Sequence, residues 1–599
     1  MLYPQMNKSR TIIDLNGLWK FRILKDGAEY VPGMVLEDDF DWIVVPASYN
    51  DQKEDRAYRN YAGFVVYQRT VSIPSFCKRE RLVLRFDAVT NSATVYIDSE
   101  KVVEHKGGYL PFELELSEDI VEQDELLLTV LVDNRVSHST LPVGNERGGV
   151  VFLGSDNAGI PSVEAGKQYQ QDINIPNFDF FNYAGINRPV RIYSTPSTYI
   201  DDVTICPSIA EDGTTGIVRY DVAVEGNIDI DNITISIKDK KGNVVATACG
   251  ATGTIELENA NLWWPAPGEP YLYTACISYG EDYYEQTFGV RTVEVRGKQF
   301  LINGKPFYFK GFGKHEDFAV HGRGFNLCLD VKDVGLIHWL NANSFRTSHY
   351  PYAEEMYDLC DREGIVIIDE VPAVGIVNWP HDPYKTLPIT DHHRDVIKDM
   401  ITRDKNHPCV VMWSLGNEPD NLSHPQSALE YWRGLYDYAH SIDVQNRPVT
   451  LVCCQNDYTK DIVTRTMDVV CLNRYYGWYN LSGDIDAAMY ALNIELDFWE
   501  DIGKPVMFSE YGADAVAGMH ATVPEMFTEE YQAQFLISYG EEFDKRDFIV
   551  GEQMWNFADF GTAQGTMRAD GNKKGLFTRE RKPKLAAHAL RHRWGQMGK

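Results

Sequence analysis

Apolar and polar positions alternate with period two through the first third of the chain. VVYQRTVSIP (65–74), RLVLRFDAV (81–89), SATVYID (92–98) and ELLLTVLVDN (125–134) each collect apolar side chains on one face. Turn-rich stretches such as KGGYLPF separate them, and no helical period competes, so residues 1–197 predict an antiparallel β-sandwich. Residues 136–178 carry Gly, Asn, Pro and Ser without pattern, a length that marks a functional or disordered loop. From 198 to 289 the alternation resumes in shorter strands, with DKKGN (239–243) as a hairpin turn, over the length of an immunoglobulin-like sandwich. After 290 the rhythm changes. Apolar runs at 307–313, 344–350, 365–371, 410–419, 449–454, 468–476, 505–512 and 550–560 now alternate with helical patterns such as YAEEMYDLCDREG (352–364) and EEYQAQFLISYGEEFDKRD (529–547). Eight strand–helix repeats predict a (β/α)₈ TIM barrel over 290–599, with its chemistry where the strands end.

Composition narrows the field. With 44% apolar and 24% charged residues, the chain of 599 residues has the apolar mass for large cores. Its net charge of −30 argues against nucleic acid and anionic membranes, which need a positive footprint. No run of about 18 apolar residues occurs, so nothing predicts a membrane span. The opening MLYPQMNKSR TIIDLNGLWK lacks a secretory pattern, and ten cysteines without a C-x-x-C read as reduced thiols, so a cytoplasmic protein is expected. No P-loop, H-E-x-x-H or complete dinucleotide fingerprint appears, and no cofactor is expected. His315, Glu316, Asp317 and His321 could suggest a metal, although none is expected to be required.

Two glutamates stand at strand ends, in Asn417-Glu418-Pro419 and in Glu510-Tyr511-Gly512. Two carboxyls on one barrel rim, about 5–5.5 Å apart, suit retaining glycoside hydrolysis. The plainer alternative is that they pair with a nearby Lys or Arg.

With these motifs stand GGYLPFE (107–113), FFNYAGI (180–186), GFGKHED (311–317), RTSHYPY (346–352), RDKNHP (403–408), NRYYGWY (473–479), GEQMWNFADF (551–560) and GNKKGLFTR (571–579). In their order, and across the whole chain, they resemble glycoside hydrolase family two, and most closely its bacterial β-glucuronidases. The resemblance implies a jelly-roll first domain, an immunoglobulin-like second and a catalytic barrel. It makes Glu418 the acid/base and Glu510 the nucleophile, gives Asn417 the sugar 2-hydroxyl, and has Tyr475 orient the nucleophile. Trp555 would line the sugar pocket, and Asp179 would reach a sugar hydroxyl with His349 nearby. Packing alone is the other reading of Asp179 and His349. Relatives are commonly homo-tetramers.

Segment 568–584 holds seven Lys and Arg against two acids, a local 7 − 2 = +5. Asn572-Lys573-Lys574 resembles the Asn-x-Lys motif by which family members hold a uronic acid carboxylate, with Arg568 and Tyr479 as further contacts. RERKPK (579–584) reads instead as a solvated face opening the last helix. The expectation is an exo-acting β-D-glucuronidase for small-molecule or oligosaccharide glucuronides. A β-galacturonidase or another family-two glycosidase is the enzyme alternative, and a glycan-binding protein the non-enzyme one. VPAVGIVNWPHDPYKTLPITDHH (371–393), with four prolines, should form a short stiff wall rather than a lid, leaving an open pocket.

Overall fold

The computed structural model describes residues 1–25, 29–144, 176–226, 230–377, 379 and 381–597. The middle of the unpatterned stretch, 145–175, lies outside the described residues. Up to residue 195, a four-stranded and a six-stranded sheet share one apolar core. Strand Ser92–Ile97 shows how the alternation works: Ala93, Val95 and Ile97 are buried, and Ser92, Thr94 and Tyr96 are half-buried. Strands Phe64–Ser72 and Glu125–Asp133 pair antiparallel along their whole length.

The second sandwich packs three strands (Tyr199–Ile209, Gly216–Glu225, Thr252–Leu257) against four (Thr234–Lys238, Val244–Cys249, Tyr273–Tyr279, Asp282–Phe288). Ile205, Val218, Ile235 and Ile277 meet in its core. Asp239 makes the expected hairpin turn, its side chain accepting from the amides of Lys241 (2.9 Å) and Asn243 (2.8 Å). Three short strands, Val293–Arg296, Gln299–Ile302 and Lys305–Pro306, then form a small sheet that the sequence pattern had not resolved.

Eight parallel strands close the barrel: Phe309–Gly313, Ser344–Arg346, Val366–Glu370, Val410–Asn417, Val449–Cys453, Val470–Asn473, Val506–Glu510 and Ile549–Met554. Val410–Asn417 is buried at every position, which is why it reads as a continuous run rather than an alternation. Each large apolar side chain so buried contributes about 1.5–3 kcal/mol. Gly311 permits the closure, because a Cβ there would stand 1.9 Å from the Ser344 carbonyl oxygen. Helix Glu354–Glu363 stops where Gly364 turns left-handed at φ +71°.

The fifth repeat departs from expectation. Between Cys453 and Val470 there are only two 3₁₀ turns, Tyr458–Lys460 and Thr464–Thr466. Asp461 accepts from the amides of Val463 (2.9 Å) and Thr464 (3.0 Å) and from the Thr464 hydroxyl (2.6 Å), offering the backbone an alternative to a helix.

A charged seam seats the first sandwich on the barrel. Arg85, buried, pairs with Asp87 and Glu113 of its own sandwich and with Glu354 of the barrel. Arg188 joins Glu316 at 2.9 Å and the Pro351 carbonyl at 2.6 Å. The Phe181 amide donates to the Gly561 carbonyl at 2.9 Å. Together these contacts fix residues 176–181 over the barrel's C-terminal rim.

Candidate active site

A cleft opens there, lined by residues of the first sandwich and of the barrel. Eight of the eleven predicted residues line it: Asp179, His349, Asn417, Glu418, Tyr475, Tyr479, Glu510 and Trp555. Glu418 follows the fourth strand at φ +54°, a conformation costing a non-glycine residue about 1–3 kcal/mol. Its amide donates to the Val452 carbonyl at 3.0 Å, and the Asn417 amide donates to the Ala373 carbonyl at 3.0 Å, which hold the turn. Burial, and then the nearby Glu510, push the Glu418 carboxyl up to about 8, against a hydrogen bond from Asn473 Nδ2 at 2.7 Å.

Glu510 is held on both oxygens. One accepts from Arg346 Nη2 and the other from Tyr475 Oη at 2.7 Å. Burial, and then Glu510 itself, push the Tyr475 phenol far up, so it donates. Arg346 gives its other arm to Glu370, at 2.7 and 2.8 Å. Glu370 is buried, yet Arg346 holds its carboxyl below the usual range. His349 Nδ1 lies 2.9 Å from Glu370, and the His349 ring stacks on Trp555 at 5.1 Å. Arg346, Glu370 and Asn473 escaped the sequence reading. Their signal was present, a charged or amide residue at the end of an apolar strand, as in SFRTSHY and IVIIDEV.

Arg568, Asn572 and Lys574 do not line the cleft; they stand buried behind Tyr479 and Asp179. Arg568 Nε lies 3.0 Å from both Asp179 oxygens, and Asn572 Nδ2 donates to Asp179 at 3.0 Å. Lys574 pairs with Asp514. Tyr479 Oη accepts from Arg568 Nη2 and from Lys574 Nζ, both at 3.0 Å, which leaves its own proton free to donate. Asp179 is thus both a cleft-wall residue and an ion-pair partner.

The RERKPK stretch is not a solvated face. Arg581 pairs with Asp333, Arg579 with Asp317, and buried Lys584 with Asp559 at 2.7 Å. Lys584 also donates to the carbonyls of Ala515 (2.9 Å) and Lys573 (2.8 Å), pinning the loop that carries Lys574. Only Lys582 among its basic residues is exposed. Of the four residues first weighed as a metal group, the two acids have protein partners: Glu316 takes Arg188, and Asp317 takes Arg579 and the Gly561 amide. Among the described residues, metal-like geometry occurs at Asp361, His407 and Cys409, away from the cleft. There His407 Nδ1 already sits 2.6 Å from Asp361, whose other oxygen takes the Cys409 amide.

Two carboxyls on a barrel rim, one protonated at neutral pH and one held by an arginine and a tyrosine, define a glycoside hydrolase site. The descriptions "Glycosyl hydrolases family 2, sugar binding domain", "Glycosyl hydrolases family 2" and "Glycosyl hydrolases family 2, TIM barrel domain" match residues 12–196, 198–291 and 293–599. The chain belongs to glycoside hydrolase family 2. It is 43% identical to a β-glucuronidase of Paenibacillus borealis over all of this chain and 99% of that one. The solved β-glucuronidase of Faecalibacterium prausnitzii superposes with a TM-score of 0.95 at 57% identity, covering 100% of this chain and 99% of that one. That of Bifidobacterium dentium, complexed with coumarin-3-O-glucuronide, gives 0.94 at 53% identity with the same coverage.

Proposed function

We propose that the chain is a retaining exo-β-D-glucuronidase. One Glu510 oxygen attacks the anomeric carbon, and the bond to the leaving oxygen breaks as Glu418 gives that oxygen its proton. The Glu418 carboxylate then takes a proton from water, whose oxygen displaces Glu510. The observation that carries this reading is the unequal pair: Glu418 stays protonated to about pH 8 beside a Glu510 already bound by Arg346 and Tyr475.

Glucuronide specificity draws support from the Tyr479 end of the cleft. A hydroxyl accepting from two cations is a strong donor toward an incoming carboxylate. A neutral sugar has no use for that pairing. The relatives' shared name points the same way. Turnover of an aryl β-D-glucuronide beside the matching galacturonide and galactoside tests the reading. The glucuronide should be preferred by orders of magnitude in kcat/KM. A preference for the galacturonide would transfer the assignment to the alternative sugar, and no turnover of any would leave only glycan binding.

A further inference from the structure

Among the described residues, the carboxylate subsite holds no spare positive charge. Arg568 is spent on Asp179, and Lys574 on Asp514. Asp514 also stands 3.9 Å from Arg568. Two cations therefore face two acids before any substrate arrives, and a uronate would be the third anion. Such a subsite reads a carboxylate by the placement of its donors rather than by net charge.

Asp514 is placed to control that geometry. It lies four residues after Glu510, on the loop leaving the seventh strand, with a side chain only 3% exposed. One oxygen accepts from Lys574 Nζ, and the other accepts the Lys573 amide at 2.8 Å. It therefore ties the nucleophile's loop to the Asn572–Lys574 loop at both backbone and side chain. It does not line the cleft. Burial alone would raise its carboxyl, but Lys574 and Arg568 hold it below the usual range. Lys574 has few other places to go: its ammonium is hemmed in by the rings of Trp478 (5.1 Å) and Tyr479 (4.8 Å). Without Asp514 the ammonium loses its anchor, and its contact with Tyr479 is no longer fixed.

We propose that Asp514 is a positioning residue for uronate recognition, holding Lys574 and through it the Tyr479 hydroxyl where the substrate carboxylate meets that hydroxyl, while never touching the sugar itself. This rests on the reading of Lys574 as part of the carboxylate subsite.

The test is the ratio of kcat/KM for an aryl glucuronide to that for the matching aryl glucoside, measured on one preparation so that folded fraction cancels. Wild type, Asp514→Asn, Lys574→Ala and the double variant are compared. Loss of a buried supporting partner of this kind typically costs about 10–100-fold. Asp514→Asn should lower the ratio by about that much, mainly through KM for the glucuronide, and the double variant should be no worse in ratio than Lys574→Ala alone. An Asp514→Asn ratio equal to wild type, with Lys574→Ala collapsed, overturns the role of Asp514 and spares that of Lys574. An intact ratio in Lys574→Ala overturns the underlying subsite reading. If Asp514→Asn does not fold, Asp514→Glu keeps the charge and shifts it by a methylene. Its ratio should fall too, and an unchanged one overturns the proposal.

Discussion

At the scale of single residues, the protonated Glu418 is the most consequential feature. Its carboxyl sits at about 8, so kcat/KM should decline above about pH 8 as the general acid is lost. The same displacement has a stability consequence. A carboxyl whose pKa is raised on folding stabilises fully below its unfolded value near 4.5, and that contribution is lost as pH climbs through the folded value near 8. Glu418→Gln removes the loss. The variant's melting temperature should therefore gain on wild type from about pH 5 upward and level off above about pH 8; a gain independent of pH would contradict the burial of an acid there. Arg346 is the residue on which both Glu370 and Glu510 depend. Arg346→Lys cannot hold both carboxylates with one forked group. It should lower kcat by about 100-fold, a loss of about 3 kcal/mol of transition-state stabilisation, read as the ratio of variant to wild-type kcat on an aryl glucuronide. The two glutamates proposed as the catalytic pair stand out in the sequence because each ends an apolar run and abuts an open loop. Arg346, Glu370 and Asn473 end apolar strands too, but their roles rest on partners across neighbouring strands, and that of Asp514 on a partner in another loop, which a linear sequence does not show.

At the scale of elements, the apolar runs located all eight barrel strands, since a strand buried on both faces reads as a near-continuous apolar run with its polar residues gathered mostly toward one end. The fifth repeat was overread, as its Asp and Thr side chains bond the local backbone and displace a helix. The charge run at 579–584 misled for a related reason. Its acids, Asp317, Asp333 and Asp559, lie elsewhere in the chain, so the run looked unpaired and hence solvated. Lys584→Met tests its corrected role. It would strip one hydrogen bond from the 571–575 loop, at the Lys573 carbonyl, and one from the Ala515 carbonyl, and leave Asp559 buried without its lysine partner. Urea denaturation should register a loss of about 3–5 kcal/mol, with a raised KM for glucuronides. Of the 371–393 segment, Val374, Gly375 and Val377 line the cleft. Asn177 Nδ2 donates to the carbonyls of Gly375 (2.7 Å) and Val377 (2.9 Å), and the Val143 amide to that of Val374 (3.0 Å). An aryl glucuronide and a glucuronide-capped oligosaccharide should therefore both be cleaved. Exclusion of the larger one would count against an open cleft.

At the scale of the whole molecule, the site belongs to more than the barrel. The first sandwich contributes Asn177, Phe178 and Asp179 to the cleft, and Asp179 is the partner that Arg568 requires. Residues 290–599 expressed alone should accordingly show no glucuronide turnover, and activity in that fragment would refute the shared site. A protein of net charge −30 does not attract an anionic sugar from a distance. Recognition is therefore expected to rest on short-range hydrogen bonds, and the proposed catalysis on the Glu418–Glu510 pair. The covalent role proposed for Glu510 is tested most directly by peptide mass mapping after reaction with a 2-deoxy-2-fluoroglucuronide bearing a good leaving group. The fluorine slows turnover of the intermediate, so a fluoroglucuronyl adduct should accumulate on the peptide carrying Glu510, vanish in Glu510→Gln, and be discharged as activity returns. An adduct on any other residue, or inactivation and turnover with no adduct at all, would contradict the mechanism.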